Sequence, residues 1–243
     1  MAKPTDPKKK KRRQYDNPFP SVTQVLDVLR KAGLEHWFKV NTPQFIQEES
    51  NKGKEIGTQI HDAIQAHIEL RDVKIETDYA VEVKNAITSF MLFKKENPDI
   101  ILHKSEMILT HGFLKYNGTL DVVAELMGVP VIGDWKTGKA GDYEKPKIYD
   151  EHKAQLAAYI KAYNWVMGQA DPEFVDIKKG FIVVMAKDKV AYDYYIMDSA
   201  EIEAEFFGVF VPALTISNHQ RRNVIANYYA KEAKSANIGK VAV

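Results

Sequence analysis

Three charges set into an apolar hairpin constrain this chain more than any other feature. Residues 117–137 read Asn-Gly-Thr-Leu-Asp-Val-Val-Ala-Glu-Leu-Met-Gly-Val-Pro-Val-Ile-Gly-Asp-Trp-Lys-Thr. Leu120, Val122, Val123 and Leu126, then Val129, Val131 and Ile132, supply the aliphatic residues of two strands, and Gly128 and Pro130 mark the turn between them. Asp121, Asp134 and Lys136 interrupt this pattern. An interior hairpin is a costly place for charges, so their presence calls for a shared task.

Register decides whether the three can meet. Pro130 lacks the N–H that would close a two-residue loop, and the spacing predicts a four-residue loop, Met127 to Pro130, with Leu126 facing Val131. Counting outward sets Asp121 opposite Lys136 and Val123 opposite Asp134. Period-two alternation turns all three charges to one face. The two carboxylates then lie on a diagonal of roughly 7–8 Å, a gap suited to a cation held between them.

The rest of the chain supplies groups around that hairpin. Ser21 is placed as the N-cap of a helix carrying Val22, Val25, Leu26 and Leu29 and ending near Gly33. An aromatic segment at Trp37 and Phe38 follows, and Pro43 starts another helical turn. In residues 54–70, Ile56, Ile60, Ile64 and Ile68 recur every fourth position and predict a buried helical stripe, with His61 at its edge. A helix over 78–96 stops at Asn97-Pro98. A strand over 100–110 carries Glu106 among apolar neighbours. After the hairpin, the polar loop 138–150 holds Lys139, Lys145 and Lys147, which can line a phosphate path. A helix over 151–167 puts Gln155 and Tyr159 on one side. Strands over 180–186 and 190–196 flank a Lys187-Asp188-Lys189 turn, and 200–234 reads as helical with breaks near Pro212 and Ser217-Asn218. Helices alternating with strands predict a mixed α/β domain.

Composition narrows the chemistry. With 243 residues and no domain boundary after residue 17, one sizeable domain is expected. No apolar run approaches the roughly 20 residues that a bilayer-spanning helix needs, and no signal-peptide pattern opens the chain. Without cysteine there is no disulfide, thiolate zinc site or cysteine-ligated cluster. The net charge of +1 hides a balance of +6 in residues 1–13, which leaves −5 for the remainder. Such a basic arm is attracted to phosphates without regard to sequence. Gly128 to Gly133 has phosphate-loop glycine spacing, but Asp134-Trp135 stands where Lys-Ser/Thr is required. Two aspartates beside a lysine suit a hard divalent cation, a bound water and a phosphoryl group.

At this point the residues carry a resemblance. Gly118-Thr-Leu-Asp121, then Val131-Ile-Gly-Asp134-Trp-Lys136-Thr-Gly138, then Gln155-Leu-Ala-Ala-Tyr159, resembles the PD-(D/E)XK nuclease superfamily, and more narrowly its RecB-like branch. Gly57-Thr-Gln-Ile-His61-Asp matches that branch's upstream helical histidine, and Glu106 matches a glutamate on the strand before the first aspartate. Pro20-Ser-Val-Thr23 is similar to the opening of its mitochondrial and phage exonuclease members. Each piece alone is weak; together, in order across residues 20–196, they are specific.

The resemblance implies a restriction-endonuclease-like core, an α/β fold with a mixed sheet flanked by helices. It implies one nuclease domain over 17–243 with helical additions at both ends, preceded by the basic arm over 1–16 that the charge run predicts to be solvated and disordered. His61, Asp121, Asp134 and the Trp135 carbonyl would ligate Mg²⁺ or Mn²⁺, with Glu106 as a further ligand or outer group. Lys136 would be the catalytic lysine beside Asp121 and Asp134, and Gln155 and Tyr159 would hold DNA near the scissile bond, with Lys139 on the phosphate path. The implied activity is metal-dependent hydrolysis of DNA phosphodiesters by an exonuclease on single strands or ends. The processes served would be replication, recombination, repair or DNA degradation. The alternatives are a structure-selective endonuclease of the same superfamily and a non-cleaving DNA-binding or assembly protein. Asp134 stands where many members have Glu, and the missing cysteines exclude the cluster-bearing subgroup. Helicase motifs are absent, so a helicase, single-strand-binding or recombination protein is the expected partner. The expected location is the cytoplasm of a bacterium or phage-infected host, with nucleus and mitochondrion left open.

Overall fold

A computed structural model of the chain describes residues 15–29, 32–72 and 77–238. The basic run of residues 1–13 lies outside the described residues. The element order is α1 (Val22–Leu26), α2 (Ala32–Val40), α3 (Pro43–Ile68), α4 (Ala80–Glu96), β1 (Ile100–His111), β2 (Tyr116–Leu126), β3 (Val129–Gly138), α5 (Asp150–Ala170), β4 (Gly180–Ala186), β5 (Tyr192–Met197) and α6 (Ser199–Glu205). A π-helical turn, Phe206–Phe210, then leads into α7 (Val211–Ile238).

The five strands form one sheet in the order β1-β2-β3-β4-β5, antiparallel throughout except for the parallel pair β3–β4 that α5 bridges. Every residue of β4 is buried, as expected for a strand covered on both faces. On one face, Ile132, Ile182 and Val184 pack against Leu156 and Ile160 of α5 and Phe210 beyond α6. On the other, Val131, Trp135, Phe181 and Val183 pack against the Ile56-Ile60-Ile64 stripe of α3 and Phe90 and Phe93 of α4. The mixed sheet flanked by helices is the expected α/β architecture. Among the described residues no helix is long and apolar enough to cross a membrane.

The hairpin register differs from the expected one. Leu126 pairs with Val129, Glu125 with Pro130 and Ala124 with Val131, so the loop has two residues rather than four. Met127 (φ 52°) and Gly128 (φ 80°) take the positive φ values of a type I′ turn, which matches the strand twist. The sequence argument against this loop misplaced the burden on proline. The closing pair is Leu126–Val129; Pro130 falls on the next pair, where no ladder N–H is needed. Both loop lengths are even, so the three charges still share a face. Carried one step past the last registered pair, Val122–Gly133, the ladder sets Asp121 opposite Asp134 rather than Lys136.

Other boundaries also shift. The first helix ends at Leu26, well before Gly33, although Ser21 caps it as expected through a box with Gln24. The turn started at Pro43 and the isoleucine stripe belong to one helix, α3. The C-terminal helix runs unbroken through Pro212 and Ser217-Asn218. The irregularity lies just before the proline, in the wide π-helical turn, which relieves the missing N–H and the ring's crowding of the preceding carbonyls. Ser217 is buried within the helix rather than ending it.

Candidate active site

The charged groups gather where the β2–β3 ladder ends. Asp121 and Asp134 are 7% and 0% exposed. Asp121 Oδ2 accepts a 2.8 Å hydrogen bond from the Trp135 backbone N–H, which fixes that carboxylate against β3. His61, delivered from α3 beside the buried isoleucine stripe, places Nδ1 3.4 Å from Asp121 Oδ1 and 3.9 Å from Glu106 Oε1. His61, Glu106 and Asp121 each offer a ligand atom within 4.8 Å of the others. Glu106 interrupts β1 with φ 54°, between the Ser105–Val122 and Met107–Leu120 pairs, so it falls opposite Asp121 by count. A glutamate held at positive φ marks strain of the kind that accumulates at functional sites.

Asp134 has a different setting. Lys136 Nζ stands 2.5 Å from its Oδ2 as an ion pair. That ammonium meets Oδ2, while the buried Oδ1 has no hydrogen-bond donor among the described residues. Burial above all, then the neighbouring Asp121 charge, pushes the Asp134 carboxyl up to about 6 against the pull of Lys136. Burial also works against ionisation of Asp121, but the facing His61, Lys136 and the Trp135 N–H outweigh it and hold that carboxyl below its usual range. Burial lowers His61 and Asp121 more than reverses it, so the imidazole sits above its ordinary value. The two aspartates are thus pushed apart, the signature of a site built around charge.

A metal is implied by the resemblance, and the residues present fit one. A buried carboxylate with one unmet oxygen, a second carboxylate, a glutamate and an imidazole form a donor set suited to a hard divalent cation. Like charges directly opposed on neighbouring strands repel, and a cation removes that penalty.

Behind the carboxylates, α5 supplies the expected pair. Gln155 Nε2 donates a 2.8 Å hydrogen bond to the Tyr159 hydroxyl. Burial, reinforced by Asp134 and Asp121, raises the Tyr159 phenol well above its ordinary range, so it remains a protonated donor. Gly118 makes room for it: a Cβ there would lie 2.9 Å from two Tyr159 ring atoms.

The chain is 26% identical over 216 residues to human (Homo sapiens) mitochondrial genome maintenance exonuclease 1, covering 85% of this chain and 60% of that protein. It is 31% identical over 201 residues to the Xenopus tropicalis protein of the same name, covering 74% and 52%. The chain therefore spans about half to three-fifths of the curated relatives it matches. Both relatives are named as exonucleases. Among solved structures, an alkaline exonuclease from Laribacter hongkongensis aligns over 89% of this chain and 94% of its own, with 12% identity and a TM-score of 0.42. No family model matches.

The structure brings His61, Glu106, Asp121, Asp134 and Lys136 together, with Gln155 and Tyr159 paired behind them. The Trp135 side chain is core, edge-on to Phe90, Phe93 and Phe181, while its backbone borders the site. Lys139 is not drawn into this group: it lines a separate groove with Glu49, Lys52, Lys187 and Asp188. Lys145 reaches Asp193 at 3.5 Å, and Lys147 lies over the Tyr149 ring. Sequence reasoning missed the segment before α1. Asn117, fully buried, is bonded both ways to Asn17 and also holds the Phe19 and Pro20 carbonyls, which lashes residues 17–21 onto β2. The only signal was Asn117 itself, an amide in the strand just before the apolar hairpin.

Proposed function

We propose that the chain is a Mg²⁺- or Mn²⁺-dependent deoxyribonuclease, acting as an exonuclease on single strands or DNA ends. The observation that carries this is the buried Asp134, its Oδ1 without a donor among the described residues and its Oδ2 held by Lys136, opposite the His61–Glu106–Asp121 cluster. A binding module has no need of such a costly group. The exonuclease names of the two vertebrate relatives support the same reading.

In this reading His61, Asp121, Asp134 and the Trp135 carbonyl hold the cation, with Glu106 beside them. What the cation supplies when bound is polarisation of a phosphate oxygen and a water of lowered pKa. Lys136, held at the fork by Asp134, orients the attacking water and offsets charge developing on the phosphate. Tyr159 accepts from Gln155 and keeps its own proton for a phosphate or sugar oxygen of the strand. The burial of the carboxylates excludes bulk water and strengthens each of these contacts. Because the contacts are to the backbone of DNA, sequence selectivity is low. A helicase, single-strand-binding or recombination protein supplies the strand.

Linear and covalently closed single-stranded DNA, incubated with Mg²⁺ or Mn²⁺, test this. The linear form is degraded and the circle survives. Cleavage of the circle overturns the exonuclease assignment, and cleavage of neither overturns the nuclease.

A further inference from the structure

Residues 139–149 join β3 to α5, within the crossover between the parallel strands β3 and β4. A pocket of about 560 Å³ opens in this loop, lined by Lys139, Lys145, Lys147, Tyr143, Tyr149 and Glu144. It lies past the carboxyl ends of a parallel pair, where open α/β sheets take their ligands. The volume suits one compact ligand.

The turn between β4 and β5 builds the pocket by gripping the loop. The Asp188 carboxylate accepts hydrogen bonds of 2.9 Å and 2.8 Å from the Ala140 and Gly141 N–H groups. The Lys187 N–H donates to the Gly138 carbonyl and Lys189 Nζ donates to the Tyr143 carbonyl, both at 3.0 Å. Lys145 reaches Asp193 of β5 at 3.5 Å. With its backbone held in this way, the loop turns two phenol rings outward, Tyr143 at 79% and Tyr149 at 48% exposed. Tyr149 is engaged, with Lys147 Nζ 5.2 Å from its ring centroid and His152 edge-on to it. Tyr143 presents an open aromatic face.

Charge decides the size of the ligand. Asp193 answers Lys145, whereas Lys139 and Lys147 meet no carboxylate among the described residues. Residues 139–151 carry three lysines but four carboxylates, Asp142, Glu144, Asp150 and Glu151. A polyanion laid along the loop would meet that acidic excess. Of the four, only Glu144 lines the pocket, so one phosphate on the two free ammoniums is not opposed. The first turn of α5 adds nothing, because Asp150 and Glu151 already oppose its dipole. An open ring beside paired ammoniums is the chemistry that holds one nucleotide, by base stacking and a charge-assisted phosphate contact.

We propose that this pocket binds a free nucleoside monophosphate and lets it restrain turnover. The base stacks on Tyr143 and the phosphate sits between Lys139 and Lys147. Cleavage from a strand end releases such nucleotides. Lys139 follows Lys136 by three residues, about 10 Å of extended chain, so a bound dianion opposes the arrival of the next phosphate. The restraint rests on the nuclease reading; the binding does not.

Calorimetric titration of the full chain with deoxyadenosine 5′-monophosphate in EDTA reads binding without turnover. Deoxyadenosine and inorganic phosphate, each lacking half of the ligand, should bind at least about 10-fold more weakly. Tyr143→Ala should weaken the nucleotide at least about 5-fold, the lower end of base–aromatic stacking. Lys147→Met should weaken it about 3- to 10-fold at low salt and less at high salt. Thermal melts check that both variants fold. With Mg²⁺ or Mn²⁺, the monophosphate at about ten times its dissociation constant should slow degradation of a linear single strand by the wild type and spare Tyr143→Ala. Absence of binding up to about 10 mM, or equal affinity in wild type and Tyr143→Ala, overturns the proposal. Equal inhibition of the two proteins, or none, does the same. So does a labelled single strand that needs Tyr143 when the monophosphate does not, since the loop is then a strand contact. If the wild type binds the nucleotide through Tyr143 but cleaves nothing, the nuclease reading fails and the pocket assignment stands.

Discussion

Replacing Asp134 by Asn should stabilise the metal-free protein while removing one of the proposed ligands. Asp134 is fully buried and its carboxyl is pushed up to about 6. Between 3.8 and about 6 the native state keeps a proton that the unfolded chain has released. Stability therefore falls as pH rises through that window, and the loss is complete above it. Moving a carboxyl that far costs about 3 kcal/mol once it ionises. An amide at 134 does not titrate. The ion pair with Lys136, which forms only as Asp134 ionises, is already counted in that net shift. Asp134 is also the smallest of the influences named for His61, so the imidazole's own titration is little disturbed. With relaxation around the buried group, the variant should gain about 2–3 kcal/mol on the wild type between about pH 4 and pH 8, or roughly 5–10 °C in Tm. Urea unfolding in EDTA, followed by tryptophan fluorescence across that range, measures the gap, with m-values unchanged. Adding Mn²⁺ should then reverse the order, since only the wild type gains from binding. A gap that stays flat or shrinks as pH rises would refute the view of Asp134 as a buried, destabilising carboxylate kept for its ligand.

Lys136→Ala should lower DNA cleavage at least about 100-fold, the scale of losing one preorganised charge-stabilising group, while strand affinity and melting change little. Undiminished cleavage removes the assigned role. Gly133→Ala should cost about 1–3 kcal/mol by overpacking, because its Cβ would lie 2.3 Å and 2.6 Å from Phe181 and 2.6 Å from Val122. An unaltered Tm in that variant means Phe181 has room to swing aside. Removing residues 1–13 deletes a balance of +6 and should weaken DNA binding most at low salt, with a shallower salt slope. Equal slopes in anisotropy titrations would show the arm to be a passenger.

The sheet and its two helical layers were legible because each strand carried its own signal. Gly180–Ala186 is an unbroken apolar run that only a strand covered on both faces needs, and Ile56, Ile60 and Ile64 announce the buried side of α3. The charges were legible for the opposite reason, since Asp121, Asp134 and Lys136 contradict their surroundings. What failed was a local inference about one proline. Whether Pro130 needs an N–H depends on which pair closes the loop, and that depends on Met127 accepting φ 52°. Nothing in methionine advertises a left-handed conformation. Loop parity survived the error, and with it the shared face. Pro212 misled in a similar way, because a π-helical turn absorbs a proline without breaking the helix axis. The lashing of residues 17–21 was illegible because its contacts span about a hundred positions and rest on two asparagines that no periodicity connects.

Trp135 belongs to two systems at once. Its ring is wedged among Phe90, Phe93 and Phe181, and its backbone N–H holds one oxygen of Asp121. The carboxylate fork therefore inherits the stiffness of the core and would have little freedom to reorganise as charge shifts during the proposed reaction. Low reorganisation energy is useful, but it narrows the routes by which such a site can drift. A mutation that loosens the aromatic cluster would first be felt as carboxylate misalignment, while the fold as a whole still held. Variants at Phe93 or Phe181 should thus be tolerated as folded proteins well before they are tolerated as enzymes, and the sequence neighbourhood open to this site is set by packing several residues away from any substrate.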